Sequence, residues 1–175
     1  MKKTILLVML VFAFACDKDD HDNETLPPAT QSGKGTFACY VDGKPFIDKS
    51  GGWFNCYYQL LEGKYYFNVR GIFPSEDNPR TIAIGTENKS ISEGETLLLI
   101  ARENGNAWAG GGFRSSDNSS EPSFTSNSNT GELTITKLDF ERKIVSGAFW
   151  FNIKHPTTGK TIEIREGRFD TLFTQ

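Results

Sequence analysis

Apolar and polar residues alternate with a period of two along most of the chain after residue 35, and this pattern predicts β-strands with one buried face. Residues 144–154 show it most clearly, because Val145, Phe149 and Ile153 share one face. Residues 115–131 are rich in Ser, Asn and Thr and are predicted to form a long surface loop. The other predicted strands cover residues 36–41, 45–47, 53–60, 64–73, 81–84, 96–100, 107–114, 132–140 and 161–169.

Short turn sequences separate several of these strands. Asp42-Gly43 is the strongest hairpin signal, because both residue types tolerate the positive φ angles of a two-residue turn. Leu61-Glu62-Gly63, Asn104-Gly105-Asn106 and Glu141-Arg142-Lys143 are also predicted turns. About ten strands joined in this way indicate an all-β fold, an antiparallel β-sandwich, with a closed up-and-down barrel as the alternative.

The first fifteen residues have the features of a signal peptide. Lys2 and Lys3 precede an apolar run of eleven residues, which is shorter than the roughly 20 residues of a membrane-spanning helix. The sequence Ala13-Phe14-Ala15-Cys16 resembles the lipobox at which bacterial lipoproteins are cleaved and acylated on cysteine. We therefore expect residues 1–15 to be removed and Cys16 to carry lipid that anchors the protein to a membrane.

Residues 16–34 are predicted to be a lipidated N-terminus and a flexible tether, followed by a single domain at residues 35–175. The tether begins with Asp17-Lys18-Asp19-Asp20, which resembles the signal that sends Bacteroidetes-type lipoproteins to the outer face of the outer membrane. We expect a cell-surface location. The alternative is a solvated acidic tether that leaves the protein on the periplasmic face.

Composition narrows the classes of function. With 37% hydrophobic and 13% aromatic residues, 175 residues suffice for one packed core. The net charge of −3 is concentrated in acids just after Cys16, so the folded part is nearly neutral and lacks the basic surface that nucleic acid requires. Nucleic acid is therefore not an expected partner.

The sequence contains no recognisable catalytic or metal-binding motif. His155 is the only histidine within residues 35–175, so a serine nucleophile would have few candidate bases. The two remaining cysteines and this histidine lack the spacing of a metal site. We predict a protein that is not an enzyme and needs no cofactor.

Cys39 and Cys56 are the two cysteines left once Cys16 is acylated, and both fall in the apolar phase of their strands. Export takes the protein to an oxidising compartment, where an even pair favours a disulfide. We predict this bond, and the alternative is two buried, reduced cysteines.

One predicted hairpin carries a candidate ligand-binding face. Aromatic rings alternate there with amide and guanidinium donors, a combination that suits a sugar, whose ring faces stack and whose hydroxyl groups need partners. The alternative is an ordinary amphipathic sheet surface, because aromatic residues are common in strands. The candidate residues are Trp53, Asn55, Tyr57, Tyr66, Asn68 and Arg70.

Several stretches together resemble a family of Bacteroidetes-type lipoproteins with an all-β domain of unknown function. They are Gly35–Lys44, Thr130–Asp139, Val145–Phe151 and Glu166–Asp170. The resemblance implies a β-fold and an envelope location, and it implies no activity. We expect a binding or interaction module with a glycan or protein ligand; the alternatives are a structural envelope protein without ligand and a glycan-acting hydrolase.

Overall fold

The computed structural model describes residues 25–50, 56–73, 79–115, 117 and 119–175, and this part of the chain is all-β. None of these residues belongs to a helix long and apolar enough to cross a membrane. The strands are β1 (Thr36–Val41), β2 (Lys44–Ile47), β3 (Cys56–Leu61), β4 (Lys64–Ile72), β5 (Thr81–Glu87), β6 (Thr96–Leu99), β7 (Ala107–Arg114), β8 (Ser120–Phe124), β9 (Gly131–Asp139), β10 (Ile144–Lys154) and β11 (Thr161–Leu172).

The eleven strands form one open sheet in the order β2-β1-β11-β10-β9-β6-β7-β5-β4-β3, and β8 pairs with β7 off this path. All pairings between these strands are antiparallel except the short contact between β6 and β7, and a separate parallel bridge joins Tyr57 of β3 to Thr174. Because the sheet is open, the alternative of a closed up-and-down barrel is wrong, and the predicted all-β sandwich is confirmed.

The sheet folds over on itself at the β6–β7 contact and encloses the core. We call β2, β1, β11, β10, β9 and β6 layer A, and β7, β8, β5, β4 and β3 layer B. Phe67 of β4 and Phe169 of β11 meet across the core with their ring centroids 6.1 Å apart. The ring of Phe37 in layer A lies where a Cβ atom of Gly71 in layer B would stand, so β1 and β4 need a glycine to approach this closely.

Two predicted hairpins have the expected turns. Asp42 and Gly43 have φ angles of 47° and 82°, and Glu62 and Gly63 have φ angles of 50° and 77°. Two consecutive positive φ values define the type I′ turn, whose twist matches that of the flanking strands. The second turn fixes the register of β3 against β4, and therefore which of their side chains lie on the same face.

The prediction of a continuous loop over residues 115–131 is wrong, because β8 lies within it. Gly110 of β7 pairs with Phe124 of β8, and Gly112 pairs with Pro122. The side chains of β8 are exposed or half-buried, so its sequence shows no apolar alternation. Proline fits there because an edge strand leaves half of its N–H groups without a ladder partner.

The predicted disulfide between Cys39 and Cys56 is not formed in the structure, in which both residues are free, buried thiols. Cys39 lies on β1 in layer A, and Cys56 begins β3 in layer B. The apolar phase assigned to both residues is nevertheless correct.

Residues 27–34, which the sequence assigns to the tether, lie against the outer face of layer A, and we call them the N-terminal strap. Their main attachment is Asp170 of β11, a carboxylate that is 1% exposed. Thr30 Oγ1 donates to Asp170 Oδ2 at 2.6 Å, and the backbone N–H of Gly33 donates to Oδ1 at 2.7 Å. The backbone N–H groups of Ser32 and Lys34 add two further bonds to Oδ2.

Candidate functional site

The outer face of layer B carries four of the six candidate ligand-binding residues. Tyr57 pairs with Asn68 across β3 and β4, and Tyr66 and Arg70 follow the same phase of β4. All four side chains are half-buried. We call them the tyrosine face. The other two candidates, Trp53 and Asn55, lie outside the described residues.

The alternation of β4 explains why these residues face outwards. Phe67 and Val69 point into the core and are 1% and 0% exposed, so the residues between them point away from it. The register of the hairpin places Gln59 of β3 opposite Tyr66 on the same face. Rings and polar groups therefore form one continuous surface across two strands.

A polar pocket of about 160 Å³ lies at one end of the tyrosine face. Tyr66 pairs with Glu87 of β5, whose Oε1 accepts a bond from Arg102 Nε at 2.8 Å. Asn88 Nδ2 donates to Asn104 Oδ1 at 3.0 Å. The pocket is lined by Tyr66, Glu87, Asn88, Arg102, Glu103 and Asn104.

A second and larger pocket, of about 330 Å³, lies at the other end of the same face. It is lined by Ile72, Arg80, Thr81, Gly112, Phe113, Arg114, Ser119 and Ser120. Ile72 is in phase with Tyr66 and lies six residues further along β4. At about 3.3 Å per residue, the two pockets are on the order of 20 Å apart. The face is long enough for an extended ligand.

Trp108 of β7 borders the tyrosine face. Its ring covers Gly85 of β5, which pairs with both Trp108 and Asn68. The Arg102 guanidinium lies 4.3 Å from the centroid of the Trp108 ring, a cation–π contact, and it also bonds Glu87. Arg102 therefore connects the polar pocket to the aromatic border.

Two buried donors at this face have no hydrogen-bond partner among the described residues, namely Arg70 Nε and Trp108 Nε1. The strands that carry them, β4 and β7, flank β5 on either side. A buried donor without a partner costs about 1–3 kcal/mol, so most buried polar groups in folded proteins are satisfied. These two donors therefore lie unsatisfied beneath the tyrosine face within the described part of the chain.

The Tyr57 hydroxyl stays protonated at neutral pH. Burial and the nearby Glu87 carboxylate raise its pKa above the usual value, and Arg102 opposes them. A neutral phenol donates one hydrogen bond and accepts others. Tyr57 therefore offers the face both a ring and a donor.

The described residues do not contain a cluster of three or more His, Cys, Asp or Glu that could hold a metal ion. The Nδ1 atom of His155 accepts bonds from the backbone N–H groups of Thr157 and Thr158, and its ring packs against Phe113. His155 therefore stabilises the turn that it begins. Sequence reasoning missed Glu87, Asn88, Arg102, Glu103, Asn104 and Trp108 as neighbours of the tyrosine face.

Comparisons with protein-family models, with curated proteins and with solved structures find no match to this chain. The resemblance to Bacteroidetes-type lipoproteins therefore stays a prediction, and a proposed function has to rest on the surface itself.

Proposed function

We propose that the protein is a lipid-anchored binding module of the cell surface, and that the outer face of layer B binds an extended glycan. The main support for this proposal is the tyrosine face, in which two half-buried rings, an amide and a guanidinium lie on one surface between two pockets. The module binds its ligand without altering it.

The chemistry of this face matches that of a sugar chain. The apolar faces of Tyr57 and Tyr66 suit the C–H side of a sugar ring, while Asn68 supplies an amide for hydroxyl groups. The guanidinium of the half-buried Arg70 adds further donors for those hydroxyl groups. In the polar pocket, the Glu87–Arg102 pair and the Asn88–Asn104 pair add acceptors and donors for one end of the glycan.

The lipid anchor is proposed from Cys16 and the signal-like segment before it, and the surface location from Asp17-Lys18-Asp19-Asp20. Mass spectrometry of the native protein should find an acylated N-terminus at Cys16. Protease treatment of whole cells should remove the domain. An N-terminus at Met1 would contradict the anchor, and full protection in intact cells would place the domain on the periplasmic side.

Binding is tested with the soluble mature chain, residues 17–175, against a panel of neutral and acidic polysaccharides. Tyr66→Ala should weaken binding by about tenfold, because loss of one ring contact costs roughly 0.5–1.5 kcal/mol beyond its buried area. Asn68→Ala should weaken it by a similar factor. Tyr40→Ala is the matched control, because Tyr40 is a half-buried tyrosine on the outer face of layer A.

Two results would overturn the proposal. One is the absence of binding across the panel by a chain that calorimetry shows to be folded. The other is equal loss of binding in Tyr66→Ala and Tyr40→Ala. Release of reducing sugar from a bound glycan would contradict the non-enzymatic part of the proposal.

A further inference from the structure

The N-terminal strap and the tyrosine face lie on opposite sides of the sandwich. The strap contacts the outer face of layer A, while the tyrosine face belongs to the outer face of layer B. We propose that the strap turns the anchored domain so that the outer face of layer A lies against the lipid surface and the tyrosine face points away from it. This inference rests on the proposed lipid anchor at Cys16.

Side-chain and backbone bonds hold the strap along its length. At its start, Arg168 Nη1 donates to the carbonyl oxygen of Pro27 at 3.3 Å. In its middle, Gln31 Nε2 donates to the carbonyl oxygen of Thr136 on β9 at 3.0 Å. Together with the four bonds that Asp170 accepts from residues 30–34, these contacts cover β9, β10 and β11. The attached part of the chain therefore begins at Pro27, over β11 of layer A.

The average reach of the remaining tether is comparable with the thickness of the sandwich. Ten residues, 17–26, separate Cys16 from Pro27. A flexible chain of this length spans about 16–19 Å on average. The two sheets are about 10 Å apart, and outward side chains add to this thickness on both sides. A tether that leaves from layer A therefore keeps layer A the nearer face.

The exposed residues of this face suit a lipid headgroup region. Trp150 and Leu98 point outwards from β10 and β6 and are 37% and 57% exposed. The Arg165 guanidinium lies 5.6 Å from the Trp150 ring and also pairs with Glu163 at 3.3 Å. Tryptophan is enriched at membrane–water interfaces, where an apolar ring with a polar edge is favoured.

The experiment uses the acylated protein in phosphatidylcholine vesicles that carry a headgroup dye as energy-transfer acceptor. One donor dye is attached through Glu163→Cys on the outer face of β11, and in a second sample through Lys64→Cys, in phase with the tyrosine face on β4. Cys39 and Cys56 are buried and do not compete for labelling of the folded protein. Transfer from position 163 should exceed transfer from position 64 by roughly twofold or more, because the thickness of the sandwich separates them.

The strap is then released in two ways. Asp170→Asn weakens the whole set of bonds to the carboxylate, and Thr30→Val combined with Ser32→Pro removes two donors without altering a strand. Both should bring the transfer ratio close to one. Thr30→Ser keeps the hydroxyl donor and should leave the ratio unchanged.

Equal transfer from both positions in the unsubstituted protein, or a ratio that strap release leaves unchanged, would overturn the proposed orientation. Glycan binding measured on the same vesicles separates this outcome from failure of the binding function. Loss of the protein from the vesicles would show that the anchor itself is wrong, and the orientation with it.

Discussion

At the scale of single residues, Asp170 is the most heavily bonded carboxylate among the described residues. Besides the strap donors, its Oδ1 accepts a bond from Ser146 Oγ at 2.8 Å. Burial alone would raise its pKa, but the bonds from Thr30, Ser32, Gly33 and Ser146 outweigh burial and lower the pKa to about 2. The charged form is therefore the one that the fold stabilises.

This pKa predicts a specific dependence of stability on pH. The folded value of about 2 lies below the ordinary value of 3.8, so the contribution is present above pH 4 and is lost as the pH falls towards 2. Its size is about 2 kcal/mol. Urea unfolding of the wild-type protein and of Asp170→Asn, compared at about pH 7 and about pH 2.5, checks this. Asp170→Asn should be less stable than the wild type at neutral pH, and its free energy of unfolding should fall less on acidification. An identical pH dependence of stability in both proteins would contradict the role of Asp170.

The two cysteines give a second prediction at this scale. Burial raises the pKa of both the Cys39 and the Cys56 thiol, so little thiolate is present at neutral pH. A thiol reagent should react slowly with the folded soluble chain that lacks Cys16, and should report two thiols after denaturation without reductant. Finding no thiols in the denatured, unreduced chain would restore the disulfide that the sequence predicts.

At the scale of elements, Thr125 fixes the position of β8. Its hydroxyl donates to the carbonyl oxygen of Ile100 at 2.6 Å and accepts a bond from the backbone N–H of Ala109 at 3.0 Å. Thr125→Val keeps the shape but removes both bonds, and should lower the free energy of unfolding by about 1–3 kcal/mol because buried groups lose their partner. Thr125→Ser should recover most of this difference in urea unfolding. Equal stability of wild type and Thr125→Val would show that these bonds contribute nothing.

Alternation located strands whose two faces differ in burial. The alternation of Phe149, Phe151 and Ile153 with exposed residues reflects burial of one face of β10, so the pattern predicts the element. In β8 the polar sequence carries no such contrast, and its strand depends on ladder bonds to β7 that sequence does not display. Tertiary pairing, rather than local preference, makes this segment a strand.

The same distinction separates the predicted and the missed parts of the candidate site. Tyr57, Tyr66 and Asn68 belong to one hairpin, whose turn sequence sets their common face. Glu87 lies beside them because β5 pairs with β4. Arg102 lies there because it forms an ion pair with Glu87, fifteen positions earlier in the chain. Contacts between elements of this kind follow from the order of strands in the sheet, which alternation does not specify.

At the scale of the whole molecule, the strap makes residues 27–34 part of the folded unit. Asp170 would keep Ser146 as a donor without the strap, but water would replace the four donors from Thr30 to Lys34. The pKa of its carboxyl group would then return towards the ordinary value of 3.8. Stability, acid sensitivity and the orientation of the domain on its anchor therefore depend on the same few bonds.

A truncation series tests this coupling directly. A chain that begins at Thr25 keeps the strap and should match the mature soluble chain in free energy of unfolding, whereas a chain that begins at Gly35 should lose about 2–3 kcal/mol at neutral pH, because several charge-assisted bonds disappear. If the loss comes from Asp170, the same truncation in the Asp170→Asn background should cost clearly less, and a double-mutant cycle measures the difference. The chain from Gly35 should also lose less stability than the chain from Thr25 between about pH 4 and about pH 2, since its carboxylate has become ordinary. If truncation lowered the free energy of unfolding equally in both backgrounds, the strap would stabilise the fold through its other contacts, such as those of Gly33 with the side chains of Ile144 and Leu172.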